Sequence, residues 1–272
     1  MGTAQDGDSF MMRRNAARRL AAEMRRIIER LVLVDAPAED LERAADAAKA
    51  FADRLDGMRQ RRWYEGFAEA ANAGSPSAFF DHSPIIGLAN PLAPPIRIEL
   101  VPMESGSQTA PDTGDKQAAG SSGVEESTAR WEDEGGSAAG LPFLLGGQTS
   151  PRRKVVGHVR YGYAYEGPPG CVHGGVIAAA FDEVLGFAQS LGGRPGMTGT
   201  LTVKYRRPTP LDTDLIFEGW VDRIEGRKIF TEGRCLADGV VTAEAEGLFI
   251  SVDFEKMAQL LRDRIAREGN HS

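Results

Sequence analysis

The stretch that most constrains this chain is Cys171 to Leu191, CVHGGVIAAAFDEVLGFAQSL. Ile177, Phe181, Val184, Ala188 and Leu191 recur at helical spacing, so one face of a helix is apolar along its length and needs a cover. Four strand-like segments follow in succession: Thr198 to Arg207, Asp214 to Ile224, Lys228 to Ala237 and Val240 to Val252. Turn signals at Pro208-Thr209-Pro210, Glu225-Gly226-Arg227 and Asp238-Gly239 separate them, which predicts an antiparallel meander. A single long helix and a meander bury each other only if the sheet curls around the helix, so the predicted class is α+β.

Composition narrows what such a domain can do. The chain has 272 residues, 42% hydrophobic, a formal net charge of −7 and a pI near 5.3. That charge argues against nucleic acid as a general partner, because phosphate binding needs a basic surface. Two cysteines, Cys171 and Cys235, are too few for a disulfide framework or a Cys-rich metal site, and no metal is expected. No run approaches the length of a membrane span, and the start lacks a secretory apolar core, so the expected location is cytoplasmic.

The chain divides into five expected parts. Residues 1–71 are a helical extension in which 1–12 form a loose terminus. A first helix follows from Arg13, with Leu20, Met24, Ile27 and Leu31 on one stripe, and Pro37 separates it from a second over Glu39 to Met58. Together these two predict a helical hairpin. Residues 72–101 are a Pro-rich loop that holds Phe79, Phe80, Ile85, Ile86 and Leu88, ending in a first strand, Ile96 to Val101. Residues 102–140 are rich in Gly, Ser, Ala, Thr and acids and are expected to be a disordered insertion, since they cannot bury enough surface to offset chain entropy. Residues 141–254 form the α+β domain, opening with a long β-rich run from Arg152 to Tyr165. Residues 255–272 are a last helix, Glu255 to Glu268, and a tail.

Asp182 stands on a different stripe of the long helix, among Gly175, Ala178, Ala179, Gly186 and Gln189. Those neighbours are small, which lets another backbone or a ligand come close. His173-Gly174-Gly175 begins the helix, where unpaired N–H groups and the positive dipole end point outward. This is what an oxyanion site for acyl transfer requires, and Asp182 suits the general base or nucleophile of the same chemistry. Eight residues of helix between Gly174 and Asp182 are roughly 12 Å, too far to serve one carbonyl within one chain. Two such helices, antiparallel across a two-fold axis, bring them together, so a homodimer or a dimer of dimers is expected.

The strand, the HGG-initiated helix with Asp182 nine residues after His173, and a meander containing KYRRPTPL and RIEGRK resemble the hotdog-fold acyl-CoA thioesterases of the PaaI-like and mammalian thioesterase-superfamily type. The resemblance covers about residues 152–253, with weaker cover back to residue 76. It implies the hotdog fold, here with an N-terminal helical hairpin, and hydrolysis of acyl-CoA to free acid and CoA as part of fatty acid metabolism. It implies that Asp182 is the nucleophile or general base, that the Gly174 N–H polarises the thioester carbonyl beside Gly175, that His173 positions the helix start, and that Thr198 orients the attacking water. Thr198, Thr200, Thr202, Lys204 and Arg206 share one strand face by simple alternation. Lys204, Arg206, Arg207, Arg227 and Lys228 are candidates for the phosphates of coenzyme A, which is part of the substrate and not a cofactor. The alternative is a non-catalytic acyl-CoA sensor that uses its N-terminal helices to contact a partner. An intact Asp182 favours catalysis.

Overall fold

The structure is a computed structural model that describes residues 3–59, 80–103, 153–193 and 196–252, with side chains from Ser9 onward. Its elements are helices α1 (Thr3–Leu31), α2 (Ala38–Asp56) and α3 (Gly174–Ser190), and strands β1 (Arg97–Pro102), β2 (Arg153–Arg160), β3 (Gly196–Tyr205), β4 (Asp214–Glu225), β5 (Lys228–Ala237) and β6 (Val240–Ser251). The six strands form one antiparallel sheet in the order β1-β2-β4-β5-β6-β3, which corrects the expected four-strand meander: only β4, β5 and β6 follow one another as hairpins, while β2 takes the edge of β4 and the Pro208-Thr209-Pro210 segment is a crossover from β3, which pairs with β6. The sheet curls around α3, which touches every strand from β2 to β6.

Small residues on the inner sheet face let the helix settle. Val155, Gly219, Gly233, Ala245 and Val203 lie in one cross-strand row. A Cβ added to Gly219 or Gly233 would come 3.1 or 3.0 Å from Leu185 Cδ2. The glycines are therefore a floor cut to Leu185. Ile177, Phe181, Val184, Ala188 and Leu191 are all buried, as their spacing predicts, and Phe181 packs edge-on against Phe217 at 5.1 Å between ring centres. Each large side chain buried this way contributes roughly 1.5–3 kcal/mol, so this helix face and the sheet are the core.

The N-terminal part departs from expectation in two ways. The first helix begins at Thr3, not after a loose stretch of twelve residues, and it is clamped to the domain by charged side chains. Arg14 Nε and Arg18 Nη2 reach the buried Asp81 carboxylate at 2.6 and 2.8 Å, and Arg25 donates to the carbonyls of Asn90 and Leu88. Both expected helices are present, yet α2 buries none of its residues. The arginine side of α1, read only as a flank of its apolar stripe, is the side that docks.

The β-rich run from Arg152 does not continue to Tyr165. β2 ends at Arg160, and a short 3₁₀ turn, Tyr163–Tyr165, replaces the last strand residues. Gly162 starts that turn, and Tyr161 is buried beneath it with Tyr165 edge-on at 5.3 Å. The insertion beyond residue 103, Phe79 and the expected last helix lie outside the described residues.

Strand β3 also breaks simple alternation. Thr198 pairs with Phe249 and Thr200 with the next residue back, Leu248, so Gly199 is an extra residue in the strand. Such a bulge reverses the facing of everything on one side of it. Thr200, Thr202 and Lys204 face outward, whereas Thr198 faces the helix. The expectation that these residues and Thr198 share a face is corrected here.

Candidate active site

The start of α3 is built from a loop that supplies its caps. His173 is the N-cap, with φ −59° and ψ 132°, and its Nδ1 accepts the Gly175 N–H at 3.0 Å. That acceptor role requires Nδ1 to be unprotonated, which places the proton of the neutral ring on Nε2. The His173 N–H in turn donates to the Tyr165 carbonyl at 2.9 Å. With Gly175 engaged, the Gly174 N–H makes no hydrogen bond among the described residues. An unpaired donor at a helix N-terminus is available to an oxygen that gains negative charge.

Tyr205 completes this end. Its hydroxyl donates to the Gly174 carbonyl at 2.7 Å, and a Cβ on Gly174 would sit 3.3 Å from the Tyr205 ring. Tyr205 lies inside the KYRRPTPL segment, where nothing in its immediate neighbours marks it as part of a site. Counting by twos from Leu201 and Val203 puts it on the inner face, and that was the usable signal.

Two turns along the helix, Asp182 is solvent-exposed, and Thr198 donates its hydroxyl hydrogen to Asp182 Oδ1 at 2.7 Å. The second carboxylate oxygen has no partner among the described residues. Beside it, Glu183 is mostly buried under the loop that follows residue 79. Burial pushes the Glu183 carboxyl above the ordinary glutamate range; the Ser83 hydroxyl, 3.4 Å from Oε1, pulls it down, and the Asp182 charge adds to the rise. Phe80 lies against Phe187 one helical turn further on, 5.2 Å between ring centres. Glu183 had no sequence signal, because a lone glutamate on a helix reads as solvated.

The five basic residues do not form one cluster. Lys204 is ion-paired with Glu246 at 2.5 Å and Arg206 with Glu244 at 2.6 Å. Arg207 follows them at the Tyr205 end of β3. Arg227 and Lys228 lie in the β4–β5 hairpin at the opposite end, where Arg227 donates to the Ser251 carbonyl. Arg207 and Lys228 have no acidic partner among the described residues. No described helix is long and apolar enough to cross a membrane.

Residues 169–243 match the family model described as thioesterase superfamily. Over 102 residues the chain is 39% identical to acyl-coenzyme A thioesterase THEM4 of Xenopus laevis, a match that covers 37% of this chain and 46% of that protein. The THEM4 of Bos taurus is 38% identical over 93 residues, covering 34% and 38%. The chain thus spans less than half the length of these curated relatives. A crystal structure of a thioesterase superfamily protein matches at 29% identity with a TM-score of 0.56, covering 86% of this chain and 94% of the other. The family match contains the whole of α3, strands β3 to β5 and the start of β6, and the solved structure covers most of the chain: residues 169–243 are similar to the thioesterase superfamily, within a hotdog fold.

Proposed function

We propose that this protein hydrolyses the thioester of acyl-CoA to a free acid and CoA, with Asp182 as nucleophile or general base. The observation that carries the reading is the exposed Asp182 carboxylate held at one oxygen by Thr198, with its other oxygen unpaired. As a general base that oxygen takes a proton from water, which adds to the carbonyl. As a nucleophile it adds to the carbonyl itself, expels the CoA thiolate and leaves an anhydride for water to open. Either route places negative charge on the carbonyl oxygen, which the Gly174 N–H is suited to receive. Thr198 acts on the carboxylate in this reading, and through it on the water. The relatives named acyl-coenzyme A thioesterase support the substrate class.

Gly174 and Asp182 are roughly 12 Å apart along α3, so each site takes one group from each of two chains lying antiparallel. The active form is then a homodimer or a dimer of dimers. Lys204 and Arg206 are already paired, so the CoA phosphates fall first to Arg207 at one end of the sheet or to Arg227 and Lys228 at the other. The location we assign is cytoplasmic.

Thiol release from a panel of acyl-CoAs tests the reading, with wild type active and Asp182→Asn at background. Wild type at background on every acyl chain length would move the protein to the acyl-CoA-sensing alternative. A fully active monomer in sedimentation would refute the shared site.

A further inference from the structure

We propose that Glu29, on α1, is a positioning residue for the helix start that carries the Gly174 N–H, acting through the turn Tyr163–Tyr165. The inference rests on the thioesterase reading of the site, and it assigns a part to a helix that lies outside the family match over residues 169–243.

The turn begins at Gly162, which has no side chain with which to cap it. The cap comes from Glu29, 134 residues earlier in the chain: Oε1 accepts the Tyr163 N–H at 2.8 Å and Oε2 the Ala164 N–H at 3.1 Å. Two adjacent N–H groups call for two acceptors and no donor, which an ionised carboxylate supplies and an amide does not. Glu29 stands in the last turn of α1, where the helix dipole disfavours negative charge, so its own helix gives no reason for an acid there. Gly162 supports the same conclusion. Its φ of −91° is open to any residue, yet a Cβ at that position would overlap the Glu29 carboxylate and lie 2.8 Å from Oε2. The glycine makes room for a neighbouring side chain and not for a backbone twist.

From the turn the path to the site is short. The Tyr165 carbonyl accepts the His173 N–H, and His173 is the N-cap whose backbone aims the Gly174 N–H. A second set of contacts steadies the turn from its other side. The Tyr165 hydroxyl donates to the Leu92 carbonyl at 3.2 Å, and Arg25, one turn before Glu29, holds the carbonyls of Leu88 and Asn90 in the same loop. α1 thus grips the turn and the loop beside it, and the turn grips the start of α3.

The test is a double-mutant cycle of Glu29→Ala and Gly162→Ala, read by thiol release and by amide exchange at His173. Glu29→Ala is expected to lower kcat on the order of tenfold, since a small displacement of a charge-stabilising donor costs rate steeply. KM should stay within about twofold, because the acyl and CoA contacts are elsewhere. Exchange at the His173 amide should quicken in step. Gly162→Ala alone should reproduce the defect by displacing the carboxylate, and should add nothing on the Glu29→Ala background. Glu29→Gln, which keeps one acceptor, should fall between wild type and Glu29→Ala.

Additive effects of the two substitutions would overturn the proposal, as would unchanged His173 exchange in a folded Glu29→Ala or Glu29→Gln protein. Should wild type release no thiol at all, the thioesterase reading fails, while the exchange measurement still decides whether Glu29 holds the helix start. Should Glu29→Ala not fold, Glu29→Gln and Gly162→Ala carry the same comparison.

Discussion

Thr198 reaches Asp182 at 2.7 Å because Gly199 is bulged out of the pairing with β6, which turns Thr198 from the outer sheet face toward the helix. A hydroxyl that donates to a carboxylate is a charge-assisted bond, worth about 1.5 kcal/mol at the low end. Thr198→Ala is therefore expected to lower kcat for acyl-CoA about tenfold, and Thr198→Ser to retain most of it. An unchanged kcat in Thr198→Ala would remove this bond from the reaction.

Tyr205→Phe deletes the hydroxyl that donates to the Gly174 carbonyl and keeps the ring beside Gly174. A neutral bond of this kind contributes about 1 kcal/mol, so folding stability should fall by about that much, and activity by roughly five-fold at most where the bond also holds the Gly174 N–H in place. Steady-state kinetics beside a melting curve separates the two.

Asp81 is buried and serves two arginines, of which Arg18 is 30% exposed and Arg14 only 7%. Asp81→Ala removes the buried carboxylate that Arg14 and Arg18 share, and removal of one partner of a buried pair costs roughly 3–5 kcal/mol. Urea unfolding should show a loss of that order, with Arg18→Ala well below it because solvent already screens that bridge.

Glu183 titrates above the ordinary glutamate range because it is buried, with the Asp182 charge adding to the rise. The folded state favours its neutral form. Its contribution to stability is fully present below the unfolded glutamate value, near pH 4, and is lost as pH rises through the folded value. Glu183→Gln keeps the size and can still bond to Ser83. Its unfolding midpoint should match wild type most closely at low pH and exceed it increasingly toward neutrality. A variant less stable than wild type at neutral pH would contradict this.

Gly233→Ala places a Cβ 2.5 Å from the Glu218 backbone carbonyl and 3.0 Å from Leu185 Cδ2. Backbone in the middle of a sheet cannot yield as a side-chain tip can, so about 3 kcal/mol of destabilisation is expected in denaturant. Gly226→Ala has open space but a φ of +59°, and serves as a contrast in which strain acts without a clash.

Much of the domain is legible in local chemistry. The spacing of Ile177, Phe181, Val184, Ala188 and Leu191 predicts the buried face of α3, and the turn residues at Glu225-Gly226-Arg227 and Asp238-Gly239 predict the β4–β5 and β5–β6 hairpins, because periodicity and turn chemistry act over a few residues; Pro208-Thr209-Pro210 reads the same way but crosses from β3 to a strand that β3 does not pair with. The same holds for His173-Gly174-Gly175 as a helix start and for Asp182 as a charge among small neighbours. The reading of one face from Thr198 to Arg206 failed because a bulge leaves no period of its own, and Gly199 fitted the alternation it interrupts.

What the sequence by itself determined is the pattern: which segments are strands, which helix face is dry, and which polar residues stand where a core does not need them. What only the tertiary structure decided is the set of contacts between residues far apart in the chain. Thr198 with Asp182, Tyr205 with Gly174, Ser83 with Glu183, Asp81 with Arg14 and Glu29 with the Tyr163 turn are each made by side chains of ordinary composition. No local signal marks them, because a hydrogen bond is a matter of distance and angle, and these are set by how the sheet curls and where α1 comes to rest.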